Sequence, residues 1–164
     1  MTDPCTRRHL LGTGSIAFVA AATVGCGSQS TAATGKFAIT KTPAEWKKQL
    51  GPQRFHILRQ EGTERPYSSP LNAEKRRGTY ACAGCGLPVF TSATKFDSGT
   101  GWPSFWREIA GNVGFKRDTS LMMVRTEEHC RRCGGHLGHV FDDGPRPTGK
   151  RHCINGLSLV FRAA

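Results

Sequence analysis

From residue 41 onward the chain predicts a mainly β domain, small and antiparallel, with one or two short helices at its N-terminal end. Three observations carry that reading. A helix-start signal stands at Thr42-Pro43-Ala44-Glu45. Beyond Gly78 the texture changes to short β-like runs between glycines. Two CxxC pairs, Cys82/Cys85 and Cys130/Cys133, bracket residues 86–129, more chain than a bare zinc ribbon encloses, so that segment must form strands of its own.

Taken in order, Thr42 can cap free N–H groups, Pro43 suits the first helical position, and Glu45 closes a capping box. Gly51 ends this helix, and Pro52 can open a second running to about Gln60, before Gly62. Glu61 to Arg77 is polar, contains Pro66 and Pro70, and reads as a loop. Strand candidates follow at Thr79–Cys82, Val89–Thr91, Val113–Asp118, Leu121–Glu127, His139–Phe141, Arg151–Ile154 and Leu157–Phe161. The aromatic stretch Trp102-Pro103-Ser104-Phe105-Trp106 reads as a loop.

The whole chain has 164 residues, 37% hydrophobic and 21% charged, which excludes both a disordered and a membrane-embedded protein. Its formal net charge of +11 admits nucleic acid, an anionic surface or an acidic partner, and singles out none of them. Residues 1–26 read as an export signal. Arg7-Arg8 runs straight into the apolar stretch Leu10–Val24, too short for a membrane span of about 20 residues but suited to a signal-peptide core. The paired arginines fit a twin-arginine signal; a buried N-terminal helix is the alternative. Val24-Gly25-Cys26 resembles a lipoprotein cleavage site with lipid on Cys26, although Thr23 stands where Leu is usual, and cleavage near Ala20–Ala22 or Ala32-Ala33 is also open. Residues 27–40 form a small, polar tether, and 41–164 the domain. The expected location is the bacterial periplasm or cell envelope.

Each CxxC pair can place two thiolates on one tight turn, with Gly86 and Gly134 freeing backbone N–H groups to face sulfur. Two short disulfides or redox-active dithiols are the competing readings. The doubled pattern, with glycine after each second cysteine, favours one zinc ion per chain held by Cys82, Cys85, Cys130 and Cys133. With every ligand position filled by protein, that zinc is structural. Cys153 alone lies outside the CxxC pairs and the leader. Between Arg151 and Ile154, next to His152, it is expected to have a lowered thiol pKa. A single such cysteine, with His136 and His139 elsewhere in the chain, is a candidate nucleophile.

At these residues the sequence resembles the methionine sulfoxide reductase B family. The matching stretches are Gly78-Thr79-Tyr80-Ala81-Cys82 through Gly86, Lys95 through Phe105, Cys130-x-x-Cys133, His136-Leu137-Gly138-His139-Val140-Phe141, Asp143 through Gly149, and Arg151-His152-Cys153-Ile154-Asn155. The likeness spans roughly Pro43 to Phe161. It implies two facing antiparallel sheets, a zinc knuckle remote from the chemistry, and reduction of the R epimer of methionine sulfoxide in oxidised proteins and peptides. It also implies Cys153 as nucleophile, His136, His139, Arg151 and Asn155 as its polar surround, and Trp102 and Phe105 on the substrate side. Those roles make chemical sense unaided, because a sulfoxide sulfur calls for a soft nucleophile and its departing oxygen for a proton, here from His139. Cys153 would be left as a sulfenic acid.

Two positions depart from the family's pattern. His152 stands where Tyr is usual, which alters an expected substrate contact, and Thr100 stands where many members carry a second reacting cysteine. Only Cys5 and Cys26 remain outside the zinc set and Cys153, so the sequence reads as a one-cysteine enzyme recycled by a thioredoxin-like protein or a small thiol. It is expected to be a monomer, to bind no nucleic acid, and to meet a membrane only through lipid on Cys26. The competing class is a non-enzymatic zinc module using Lys75-Arg76-Arg77, Arg131-Arg132 and Lys150-Arg151 toward nucleic acid or an acidic partner. A second, catalytic metal on His136 and His139 ranks below the cysteine reading, since no HExxH or HxE motif accompanies them.

Overall fold

The computed structural model describes residues 37–164; the expected export signal, Cys5, Cys26 and most of the tether lie outside the described residues. Helix α1 spans Pro43–Gln60. Its start is the expected capping box: Thr42 Oγ1 accepts from the Glu45 amide at 3.3 Å, and Glu45 Oε2 accepts from the Thr42 amide at 2.8 Å. The two expected helical pieces are both present, joined across a kink at Gly51, whose φ of +70° favours glycine.

Nine strands follow: β1 (Gly78–Cys82), β2 (Pro88–Thr91), β3 (Lys95–Phe96), β4 (Ser104–Phe105), β5 (Val113–Asp118), β6 (Arg125–Cys130), β7 (His136–Phe141), β8 (Arg151–Ile154) and β9 (Leu159–Ala163). They form a three-stranded sheet, β2-β1-β9, and a six-stranded sheet, β3-β4-β8-β7-β6-β5, antiparallel at every pairing. Between the sheets Phe90 stacks on Phe105 at 4.4 Å, and Tyr80 meets Phe105 edge-on at 4.9 Å. All three rings are fully buried, so truncating any of them to Ala would cost about 3–5 kcal/mol.

Several elements sit elsewhere than the sequence reading puts them, each for a local reason. The apolar run 121–124 is not the start of a strand but part of the β5–β6 turn. Asp118 Oδ1 accepts from the Ser120 amide at 2.8 Å, opening a 3-10 turn over Ser120–Met122, and β6 begins only at Arg125. Likewise Gly156–Ser158 is a 3-10 turn, closed by the Ser158 hydroxyl on the Asn155 carbonyl at 2.6 Å, and delays β9 to Leu159. Part of the aromatic stretch read as a loop, Ser104–Phe105, is a strand between β3 and β8.

Alternation along β8 decides which side chains serve the core. His152 and Ile154 are buried inward, while Arg151 and Cys153 are half-buried on the opposite face. Since Phe105 pairs with His152 and Ser104 with Cys153, Phe105 belongs to the core face. Its expected place on the substrate side is corrected accordingly. His152 is also corrected: it lies inside, donating from Nδ1 to Glu128 Oε1 at 2.7 Å, and is not placed to touch a substrate at Cys153.

Candidate active site

Register across the large sheet lines up one residue from each of five strands. Ser104 on β4 faces Cys153 on β8, Cys153 faces His139 on β7, His139 faces Glu127 on β6, and Glu127 faces Lys116 on β5. Directly opposed side chains have Cβ atoms about 5 Å apart, so Cys153 and His139 are neighbours by construction of the sheet. His136 should fall on the other face, because an odd offset along a strand reverses direction. A bulge prevents this. Glu128 pairs with Gly138 but His129 with His136, so β7 carries one extra residue, Leu137. The two imidazoles consequently meet edge to face, 5.4 Å apart.

The bulge also exposes a carbonyl that holds Asn155. The Leu137 carbonyl accepts from the Asn155 amide at 2.9 Å and from its Nδ2 at 3.2 Å. Asn155 Oδ1 in turn accepts from the Glu64 amide at 3.0 Å. Glu64 is the hub of this corner: its carboxylate accepts from the Gly156 and Leu157 amides, and its carbonyl from Trp102 Nε1 at 3.2 Å. The segment Glu61–Arg77, read from sequence as a plain connection, therefore clamps Trp102 and Asn155 in place. Tyr67 reinforces it, its amide bonding the Gly101 carbonyl at 2.7 Å. Gly101 has φ +92°, and a Cβ there would press into Pro66 and Tyr67, so this approach requires glycine.

Each histidine is paired with a carboxylate that the motifs alone do not point to. His139 Nε2 donates to Asp118 Oδ2 at 2.8 Å, and Arg125 holds that same oxygen at 2.7 Å. Burial works to raise the Asp118 pKa, but Ser120, His139 and Arg125 outweigh it and hold the carboxyl well below its usual range. Burial pushes His139 below the ordinary histidine value despite Asp118, which favours the neutral ring with Nδ1 free to accept a proton. His136 Nδ1 donates to Glu127 Oε1 at 2.8 Å, and Lys116 pairs with the other oxygen at 2.8 Å. His136 Nε2 is buried without a hydrogen-bond partner among the described residues. A group left unpaired in this way is where a polar ligand atom would gain most.

Arg151 is clamped by a bidentate pair to Asp143 at 2.8 and 2.9 Å, and its guanidinium lies 4.4 Å over the Phe141 ring. The expected lowering of the Cys153 pKa does not hold in the resting protein. Burial raises the thiol above its ordinary value, and Arg151 and the Thr100 hydroxyl offset only part of that. Alkylation of the resting protein should therefore keep accelerating with pH beyond about 8.5, the ordinary thiol midpoint. A rate already level at neutral pH would show a resting thiolate instead. Thr100 Oγ1 lies 4.0 Å from Cys153 Sγ, on a hydroxyl chain through Ser98 to Ser104.

Away from this face, the turns after β1 and β6 bring Cys82, Cys85, Cys130 and Cys133 together, all four sulfurs within 4.8 Å of one another. The closest approaches join the two motifs, Cys82 to Cys133 at 3.7 Å and Cys85 to Cys130 at 3.4 Å, which does not favour a disulfide within either pair. A tetrahedron of sulfurs about 2.3 Å from a central ion has edges of about 3.8 Å, so the set fits a metal such as zinc. Gly86 and Gly134 take positive φ and return their amides to the Cys82 and Cys130 carbonyls at 2.7 and 2.8 Å, the turn the spacing anticipates.

A model of the SelR domain family matches residues 50–163. A peptide methionine sulfoxide reductase MsrB from Methanosarcina barkeri is 57% identical over 126 residues, covering 76% of this chain and 89% of the relative. The MsrB of Agrobacterium fabrum is 53% identical over 124 residues, 75% of this chain and 92% of its own. That of Leptospira interrogans is 50% identical over 127 residues, 77% and 97% respectively.

Proposed function

This chain belongs to the SelR domain family of MsrB-type proteins, and on that premise we propose that it reduces the R epimer of methionine sulfoxide in peptides and proteins to methionine. The observation that carries the reading is the pairing of Cys153 with His139 on adjacent strands, with Arg151 beside the thiol and His136 against the His139 ring. A buried thiol beside a neutral imidazole suits this reaction. Cys153 sulfur attacks the sulfoxide sulfur while its proton passes to His139 Nδ1, and the charge on the ring is met by Asp118. The proton then reaches the sulfoxide oxygen. Two electrons go from Cys153 to the substrate sulfur, the oxygen ends on Cys153 as Cys–SOH, and methionine departs. Trp102, held through its indole nitrogen, offers the apolar surface for the substrate methyl group.

Recycling falls to an outside thiol, from a thioredoxin-like protein or a small molecule. The first thiol displaces the oxygen as water and forms a mixed disulfide; a second releases Cys153. The support is Thr100, which occupies the position in contact with Cys153 and has no sulfur. The Cys82/Cys85/Cys130/Cys133 cluster would hold one structural zinc ion, a cross-link that takes no part in the reaction. Export by the twin-arginine route, which carries folded proteins, rests on Arg7-Arg8 and Leu10–Val24; it would allow the metal to be loaded before the protein meets an oxidising compartment.

The decisive assay uses separated R and S epimers of a methionine sulfoxide peptide with an added dithiol, and turnover of R alone is expected. Without dithiol, one equivalent of R substrate should leave a species that a sulfenic-acid probe traps. In Thr100→Cys the same single turnover should end in an internal disulfide, with loss of two thiols and no probe labelling. Equal turnover of both epimers, or none, would overturn the assignment.

A further inference from the structure

Met1, Met122 and Met123 are the only methionines in the chain. The buried core contains none among the described residues, whereas Met122 is 103% exposed and Met123 55%. Both sit on the turn between β5 and β6, beside exposed Val124. Neither packing nor backbone geometry explains the choice of residue. Met122 has φ +56°, where glycine or asparagine is at ease and a long side chain is not. The ends of the turn are the Asp118–Arg125 ion pair, and Asp118 is the partner of His139. Met122 thus stands in full solvent and Met123 about half in it, both at the rim of the catalytic face.

Resting on the reductase reading above, we propose that Met122 and Met123 are an oxidation site whose sulfoxides are substrates for Cys153 of a second copy of this chain. An exposed thioether takes one oxygen atom from hydrogen peroxide or a similar two-electron oxidant, releasing water and leaving a sulfoxide. Reduction returns two electrons to that sulfur and moves the oxygen to Cys153. Two external thiols then regenerate Cys153, leaving as a disulfide with water. One cycle consumes one oxidant and two thiols.

Geometry selects the second copy. From the β5–β6 turn to β8 is two to three strand spacings, about 10–14 Å. The turn is tied at both ends by Asp118–Arg125 and the β5–β6 ladder, so its side chains cannot fold back onto Cys153 of the same chain. Their exposed ends point the proposal to the site of another molecule.

The test uses full-length Cys153→Ser protein, zinc-loaded and oxidised with limiting peroxide, as the substrate. Trypsin releases residues 118–125 as one peptide carrying both methionines, so mass spectrometry reads the added oxygen. A catalytic amount of unmodified protein, dithiol and a free methionine R-sulfoxide peptide are then added together. The expected result is loss of about half the oxygen on residues 118–125, the R-epimer share, at a rate proportional to added enzyme. Persistence of that oxygen while the free peptide is reduced would overturn the inference and leave the reductase reading standing. Failure on both would overturn the two together. In unmodified protein oxidised and then supplied with dithiol, tenfold dilution should slow repair of residues 118–125 about tenfold. A rate unchanged by dilution would overturn the role of a second copy.

Discussion

Cys153→Ser should bring reduction of the R-sulfoxide down to background, a loss of at least about a thousandfold, with the fold intact. The serine hydroxyl is a poor nucleophile toward sulfur and cannot carry oxygen away as a sulfenic acid, so the step itself disappears. Stability should change little. Cys153 is half-buried on the outer face of β8, and its polar neighbours are a hydroxyl 4.0 Å away and the Arg151 guanidinium, which a serine can also face. A change of about 1 kcal/mol, a few degrees in melting temperature, is the expected ceiling. The other cysteines of the described residues are all in the four-sulfur cluster, so none of them can take its place. Turnover surviving in this variant at the parent's melting temperature would sink the nucleophile assignment; lost turnover with a collapsed fold would call for Cys153→Ala before the role is assigned.

The chemistry-bearing residues could be read from the sequence because their types and spacings are local. CxxC twice, a lone Cys153 beside Arg151, and His136/His139 need no knowledge of the fold to attract notice. What could not be read there is which face each side chain takes. A period of two sends His136 and His139 to opposite faces, and only the Leu137 bulge reunites them. The same alternation removes Phe105 and His152 from the site, because Ser104 pairs with Cys153 and Phe105 with His152. Asp118 and Glu127 act on their histidines through the order of strands in the sheet, a long-range fact with no local mark. Glu64 is similarly hidden in a segment whose proline content says only that it is a loop. The Cys153 pKa failed for a different reason: charge is printed in the sequence, but burial is not, and here burial is the larger influence.

Loss of the metal should unfold the domain, and Cys130→Ser is the sharpest way to cause it. The cluster joins the turn between β1 and β2, in the small sheet, to the turn between β6 and β7, in the large one. A zinc ion held there would cross-link the two sheets, at an edge where helix α1 also packs: Arg59 Nη1 donates to the Cys133 carbonyl at 2.9 Å, and Gln49 Nε2 to the Gly84 carbonyl at 2.7 Å. Zinc contributes about 10–16 kcal/mol to the folding of small zinc modules, comparable to the entire stability of a typical domain, about 5–15 kcal/mol. Cys130 is fully buried, so serine there removes a ligand and leaves three sulfurs crowded together without a full set of partners. The variant should be recovered without stoichiometric zinc and without a cooperative thermal transition. Chelation of the parent protein should lower its melting temperature in step with metal release. Activity should disappear along that same curve, since the cluster lies on turns apart from the Cys153 row and affects the reaction only through the fold. A chelated protein with an unchanged transition would show that the four thiols do not hold a stabilising ion. Activity lost well before unfolding would place the metal in the chemistry after all.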